Sequence, residues 1–565
     1  MTVASIADAT VATTSPGPSG PGSRTVAWLG EHRVWLLVVV AYLSVFPYSP
    51  AINNPNENVR IYMSRALVEH HTLAINQIEA EWGWVNDKAK SGDRLFSSKA
   101  PGLSLLGVPV LGAETWLWHR LGWRSPSKLA TTLGLRMFAV IVPMCAFLLA
   151  FVRYVRRISG SRPVAELLLV AVGLGSLLYP YGIHFVGHGV AAALTFSAFM
   201  VLAPDGTITR SARRGAVGGL LAGLGVVFEY QNLLVAILLG VYVAVRRPRI
   251  LPAFALGALP AAALLGVMHT LCFGRPWAFP YGHLENVEFQ TLHHHNGFYG
   301  VVGPTRAAIL GVLFLPGFGF FACSPFLVVA ALAVGRMLAR GPRAEGALIA
   351  AVAVALTVFV AGLPNWRGGW SVGPRYIAAV VPYLAVALAY AWPGVVRRRF
   401  ARPAWSVTAG LVLVGIFLNA LAAVIYPQFP PQLRNPAFQL TLRLLRDGYF
   451  PYSLGHALGL RGWASLAPTG LALLLAVALA LGSDPVAPPR GDTPGSPSPS
   501  GWTWPGRWRS RPRLSSLVLT AAVFGGLVVA LSAWPVRPSV AEREAVRVIE
   551  GAFSPPPVAP ARRAQ

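Results

Sequence analysis

The chain has 565 residues, 54% of them hydrophobic and only 12% charged, with a mean hydropathy of +0.55. Soluble globular chains carry about 25% charged residues, and the apolar residues here fall in runs of roughly 15 to 25, long enough to cross a bilayer. A soluble enzyme, a disulfide scaffold and a disordered chain are excluded. The formal charge of +26 comes from 47 basic against 21 acidic residues. The arginines stand in short clusters between apolar runs, which is the positive-inside pattern of a polytopic membrane protein and not a nucleic-acid footprint.

Residues 1–30 open with a Ser-, Thr-, Pro- and Gly-rich stretch, expected to be disordered and cytoplasmic. No basic n-region precedes a cleavage site, so the first apolar run, 34–48, reads as an uncleaved anchor behind Arg24 and Arg33. Further runs follow at 133–152, 164–180, 186–203, 215–228, 231–246, 250–271, 305–335, 345–363, 376–393, 404–426, 465–482 and 515–534. The fold class is therefore all-α and polytopic, with about 13 transmembrane helices. The intervening inner loops carry arginine clusters, from Arg153, Arg156, Arg157 and Arg162 to Arg507, Arg509, Arg511 and Arg513. Residues 101–123 are apolar enough to span, but a span there would turn every cluster outward. Glu114, Trp116, Trp118 and His119 suit an interfacial or re-entrant helix instead.

Three outer segments are long: 49–132, 272–304 and 427–464. Residues 31–482 form one transmembrane unit, and 483–513 is a Pro-, Gly- and Ser-rich cytoplasmic linker. Residues 514–565 supply the last span and a loose outer tail. Three cysteines, Cys145, Cys272 and Cys323, give neither a disulfide framework nor a zinc spacing.

Every polar constellation falls on the predicted outer side. Glu57, within Asn53-Asn54-Pro55-Asn56-Glu57-Asn58, stands just past the first run. It reads either as the first turn of a capped helix or as a general base. Arg60 follows it. Asp93 precedes Lys99, which stands before a Pro-Gly turn and an apolar helix. Lys99 could hold a phosphate as a point charge or anchor that helix by snorkelling. His184 and His188 share one helical face, a spacing that admits a metal but lacks an adjacent third ligand. Glu229 and Tyr230 interrupt an apolar stretch, either as a polar site or as the turn of a hairpin. The run His293-His294-His295 reads as an adventitious metal binder on a covering loop. Arg367 and Arg375 flank Gly368-Gly369 in a short outer loop, where they suit a phosphate or an aromatic belt. No ATP-binding machinery appears among the inner loops, so an activated substrate should be lipid-linked and reached from outside.

This layout resembles the GT-C class of membrane glycosyltransferases, in particular the protein O-mannosyltransferase and aminoarabinose transferase families. The matching features are the acidic residue after the first span (Asn56-Glu57-Asn58) and a long outer loop carrying juxtamembrane helices. That loop ends in Lys99-Ala100-Pro101, and Trp370-Ser371-Val372-Gly373-Pro374-Arg375-Tyr376 follows later. The resemblance covers residues 30–430. It implies transfer of a sugar from a polyprenyl-phosphate donor to a lipid, glycan or protein acceptor at the extracytoplasmic face. It also implies Glu57 as the base, with Lys99, Arg367, Arg375 and Arg60 on the donor phosphate. The family's acidic motif often carries a second carboxylate, which is replaced here by asparagine. No metal site is assigned, and a divalent cation is left open. Membrane lipids are the expected surroundings, with no nucleic-acid partner. The GC-rich residue usage points to a bacterial inner membrane, crossed many times, with the N-terminus cytoplasmic. The alternative reading is a transporter or flippase of a lipid-linked or anionic solute.

Overall fold

The computed structural model describes residues 21–48, 54–123, 126–396, 398–482, 513–534 and 537–553. The expected disorder of residues 1–20, nearly all of the linker and the stretch beyond 553 lie outside the described residues. Helix α1 (Pro21–Leu43) begins inside the segment expected to be disordered, so residues 21–30 are helical. It leads through strand β1 (Val45–Phe46) to a segment that holds α2 (Pro55–His70), α3 (Asn76–Trp82), β2 (Lys88–Ser91), β3 (Arg94–Ser97) and α4 (Gly102–Arg120).

The bundle continues with α5 (Lys128–Ser159, interrupted by a π turn at Met137–Ile141), α6 (Arg162–Gly173), α7 (Gly187–Leu202), α8 (Ala212–Phe228), α9 (Leu233–Arg246) and α10 (Leu251–Phe273). It closes with α11 (Arg306–Phe314), α12 (Phe326–Arg340), α13 (Arg343–Ala361), α14 (Val380–Val395), α15 (Ala401–Val424), β4 (Tyr452–Ser453), α16 (Ala467–Leu481), α17 (Leu514–Ser532) and α18 (Val540–Phe553).

Six helical stretches are long and apolar enough to cross a membrane: α5, Pro248–Phe273 with α10, α13, α15, Gly462–Leu481 with α16, and α17. Shorter apolar helices are α7, α9 with its leading turn, and α14. The chain is a membrane-embedded, mostly helical protein. Helices α6 and α14 are apolar around nearly their whole circumference and lie at the centre. Helix α17 packs on α15 and is otherwise exposed along its length.

The polar interruption at Glu229 is the turn between α8 and α9. The run 305–335 is a correction: it is broken into α11 and α12, with a four-residue helical turn, Phe320–Cys323, between them. Pro316 and Gly317, whose φ is +74°, break the helix there. Nine residues of α11 are too few to span alone.

The most extensive helix pair, α8 with α10, packs through small residues. A Cβ at Gly219 would fall on the Phe254 carbonyl, and one at Gly257 on the Ala216 carbonyl. Gly215, Gly219 and Gly223 therefore form a small-residue stripe that lets the two backbones touch. Gly219→Leu should cost on the order of 1–3 kcal/mol of stability. Thermal unfolding in detergent checks this, with Gly335→Leu, where a Cβ meets open space, as the control.

The tail expected to be loose is ordered through α18, a second correction. Val546 and Ile549 are buried. Arg434 donates to Glu542 at 2.8 Å, Gln439 donates to the same carboxylate at 2.9 Å, and Arg443 pairs with Glu550. The Phe553 ring packs edge-on against Tyr426 and Tyr449.

Candidate active site

Helix α2 organises the site. The Asn54 side chain accepts the Glu57 N–H at 3.4 Å, and Pro55 takes the first helical position, so the Asn-Pro-Asn-Glu run is a built N-terminus. The capped-helix reading of Glu57 is thus realised, and it places the carboxylate on the wall of a cavity of about 600 Å³.

Glu57 is 3% exposed. Arg136, about two turns into α5, grips it with a two-pronged contact: Nε donates to Oε1 and Nη2 to Oε2, each at 2.6 Å. Arg136 also donates to the Pro47 carbonyl at 2.7 Å, and the Phe185 N–H donates to Glu57 at 2.8 Å. Burial by itself would raise the Glu57 carboxyl, but the Arg136 guanidinium outweighs it and holds the value down at about 2. Its ordinary value is 4.5. A depressed folded value means that the pair's contribution to stability is whole above about pH 5. It should be lost as pH falls from about 4.5 toward 2. Acid unfolding of Glu57→Gln, in which that acid limb should flatten, is the check.

A second cavity, of about 350 Å³, adjoins the first, and Asn54 and Gln428 line both. Here the structure brings together Lys99 from the Lys-Ala-Pro element and Arg375 from the Trp-Gly-Arg loop, with Asp87, Tyr281 and Tyr376 around them. Lys99 Nζ lies 3.1 Å from Asp87 Oδ2 and 5.4 Å from the Tyr281 ring centre. Burial would lower the Lys99 ammonium, but Asp87 outweighs it and the value is raised. Burial likewise works against the Asp87 carboxylate, and Lys99 with Arg375 overcome it, so that value is lowered. Lys99 and Asp87 therefore both stay charged at neutral pH. Arg375 Nε is buried and finds no hydrogen-bond partner, so this cavity holds donor capacity for an anion.

The other expected residues are distributed differently. His184 lines the larger cavity, and its Nδ1 lies 2.8 Å from the Pro180 carbonyl. Burial lowers its imidazole to about 4, so it is neutral at pH 7. Arg60 lines neither cavity. It is fully buried behind α2, donating to Glu229 at 2.7 Å and to both oxygens of Asn56. His188 joins this inner group, with Nδ1 3.5 Å from Glu229 and its ring edge-on to Tyr376. Arg60 and Glu229 form a buried ion pair that fixes α2 against the turn between α8 and α9.

Tyr230 lies apart, its hydroxyl 3.1 Å from His269 Nε2. Arg367 lines neither cavity, since its guanidinium binds the Pro431 carbonyl and stacks near Phe318 and Trp366. Asp93 sits exposed at the β2–β3 turn, where the paired register leaves only Gly92 and Asp93 between the strands. Arg60, Arg367, Asp93, Tyr230, His188 and Glu229, all expected at the site, thus line neither cavity. Among the described residues, no three His, Cys, Asp or Glu side chains gather as a metal-ligand set.

Arg136 and Phe553 belong to the site and escaped the sequence reading. A lone arginine at the outer end of an apolar run was the available signal for the first. The spacing of Val546, Ile549 and Phe553 on one helical face was the signal for the second.

No protein-family model matches the chain, and no curated protein matches it. Among solved structures, the chain is similar to apo ArnT from Cupriavidus metallidurans: 16% identity over 81% of this chain and 76% of that one, TM-score 0.45. It is similar to ArnT bound to undecaprenyl phosphate at 13% identity over 82% and 77%, TM-score 0.45. A third similarity is to the Archaeoglobus fulgidus oligosaccharyltransferase tethered with an acceptor peptide, at 13% identity over 72% of this chain and 57% of that one, TM-score 0.44. These are similarities in the path of the chain, and no residue role is taken from them.

Proposed function

We propose that the protein is a membrane glycosyltransferase that moves a sugar from a polyprenyl-phosphate donor to an acceptor at the extracytoplasmic face. One observation carries the reading. A cavity holding Lys99 and Arg375 opens beside a cavity walled by an ionised Glu57, and the two meet at Asn54 and Gln428. In this reading the donor phosphate lies between Lys99 and Arg375. Their charge stabilises the phosphate as the bond to the sugar's anomeric carbon breaks and that carbon becomes cation-like. The acceptor hydroxyl approaches from the larger cavity and bonds to that carbon. Its oxygen turns strongly acidic as it does so, and Glu57 takes the proton. A carboxylate held at about 2 is a weak base for a free hydroxyl but adequate for an oxygen already bonded to such a carbon. Arg136 keeps the carboxylate ionised and aimed.

The reading includes about 13 spans in a bacterial inner membrane, with the N-terminus cytoplasmic and both cavities outside. Cysteines placed at Asn54 and Gln428 should react with an impermeant thiol reagent from the outer face only. Purified protein given radiolabelled polyprenyl-phosphate sugar and a mixed acceptor extract should form product without a vesicle gradient. A single displacement should invert the anomeric configuration, which NMR of the product reads directly. Movement of the lipid-linked sugar across vesicles with no bond cleaved would favour the transporter reading instead.

A further inference from the structure

Resting on that proposed function, we infer that the acceptor is a saccharide and that it binds in the cavity beside Glu57. The walls are the argument. Aromatic rings reach this cavity from four separate segments: Tyr48 after α1, Trp84 after α3, Tyr452 on β4 and Phe553 at the end of α18. Polar side chains stand between them, namely Asn54, Gln428 and His456. Flat rings offer faces to the C–H side of a sugar, and amides and imidazoles suit its hydroxyls. Glu57 and Arg136 line the same space but are bound to each other, and Lys128, whose Nζ lies 3.4 Å from the Tyr62 hydroxyl, adds one ammonium able to donate to a sugar hydroxyl. A cavity of about 600 Å³ lies within the usual range for a small organic ligand and has room for a disaccharide.

Two other acceptor classes fit less well. The chain shows what an alkyl-lined hollow looks like elsewhere. A cavity of about 220 Å³ between α6, α12 and α14 is walled by Val164, Leu167, Leu168, Leu332 and Leu388. The cavity beside Glu57 has no such aliphatic wall. A peptide held by strand addition needs a sheet edge of several residues, and the β1–β4 ladder beside this cavity pairs only Val45–Ser453 and Phe46–Tyr452.

The aromatic wall is also accessible. Trp84 is 62% and Tyr452 49% exposed, so truncating either changes the wall without emptying a packed core. Helix α18 completes the enclosure: its ion pairs with Arg434 and Arg443 hold Phe553 in place.

The test is saturation-transfer NMR on the full chain in nanodiscs. The probes are maltose, cellobiose and α-mannobiose in one arm and short Ser/Thr-containing peptides in the other. Transfer to the ring C–H protons of at least one disaccharide is expected, with affinity falling about tenfold in Trp84→Ala and in Tyr452→Ala. The absence of any saccharide signal in the parent protein would overturn the inference. So would a signal that survives both substitutions undiminished, or transfer confined to the peptides. Undecaprenyl-phosphate binding, read in the same samples, tests the donor site separately. Its absence alongside an intact saccharide signal would overturn the glycosyltransferase reading and leave the saccharide site standing.

Discussion

Arg136→Met should destabilise the protein by about 3–5 kcal/mol, because it leaves the Glu57 carboxylate buried without its counter-charge. Glu57→Gln should cost a similar amount for the mirror reason, stranding the guanidinium at a site where both partners are about 95% buried. The double variant Glu57→Gln/Arg136→Met removes both charges together, so most of the lost stability should return. Sugar transfer should not return with it, because the proton acceptor is gone. The experiment therefore separates two roles that either single variant confounds. Thermal unfolding in detergent reads the first role, and transfer from radiolabelled donor reads the second. A double variant that is stable and fully active would remove Glu57 from the chemistry and leave it as a strut for α2.

The second large effect concerns the donor. Lys99→Met and Arg375→Met should each weaken undecaprenyl-phosphate binding by about 30-fold or more, since each deletes a desolvated charge facing an anion, worth roughly 2–5 kcal/mol. Lys99→Met also leaves Asp87 without its partner at 3.1 Å. The comparison should therefore include Lys99→Met/Asp87→Asn, in which the stranded carboxylate is neutral. If donor affinity is restored in that double variant, Asp87 repulsion caused the loss, and Lys99 does not hold the phosphate. Asp93→Asn, at the exposed hairpin turn, should leave affinity unchanged. Binding should also weaken with added salt less steeply than for a surface patch, because Lys99 is only 8% exposed.

The three polar elements that the fold brings together were legible in the sequence. Glu57, Lys99 and Arg375 were picked out from three separate segments, and the fold gathers them into two adjoining cavities. The reason is local. An Asn-Pro-Asn-Glu run, a Lys-Ala-Pro element and an arginine directly after Gly373-Pro374 each carry their turn chemistry in adjacent residues. What stayed illegible depends on contacts between distant positions. Nothing near Arg136 shows that its partner is Glu57, and nothing near Arg60 shows that Glu229 occupies it instead of a phosphate. Arg367 looked equivalent to Arg375 in the same loop, yet a backbone carbonyl from residue 431 claims it. The run 305–335 looked like one helix because its average is apolar. Pro316 and Gly317 decide its geometry, and an average over a window hides them. The tail was read as loose, although Val546, Ile549 and Phe553 share one helical face and fold it back onto the bundle.

The two adjoining cavities draw on different lengths of chain. Every residue lining the one with Lys99 and Arg375 lies between Asn54 and Gln428, whereas the one beside Glu57 also needs Phe553. Chains emerge from the ribosome N-terminal end first. A chain made through residue 428, about three-quarters of its length, therefore holds every residue of the first cavity before the second can be walled in, so biosynthesis itself imposes an order in which the two compartments are completed.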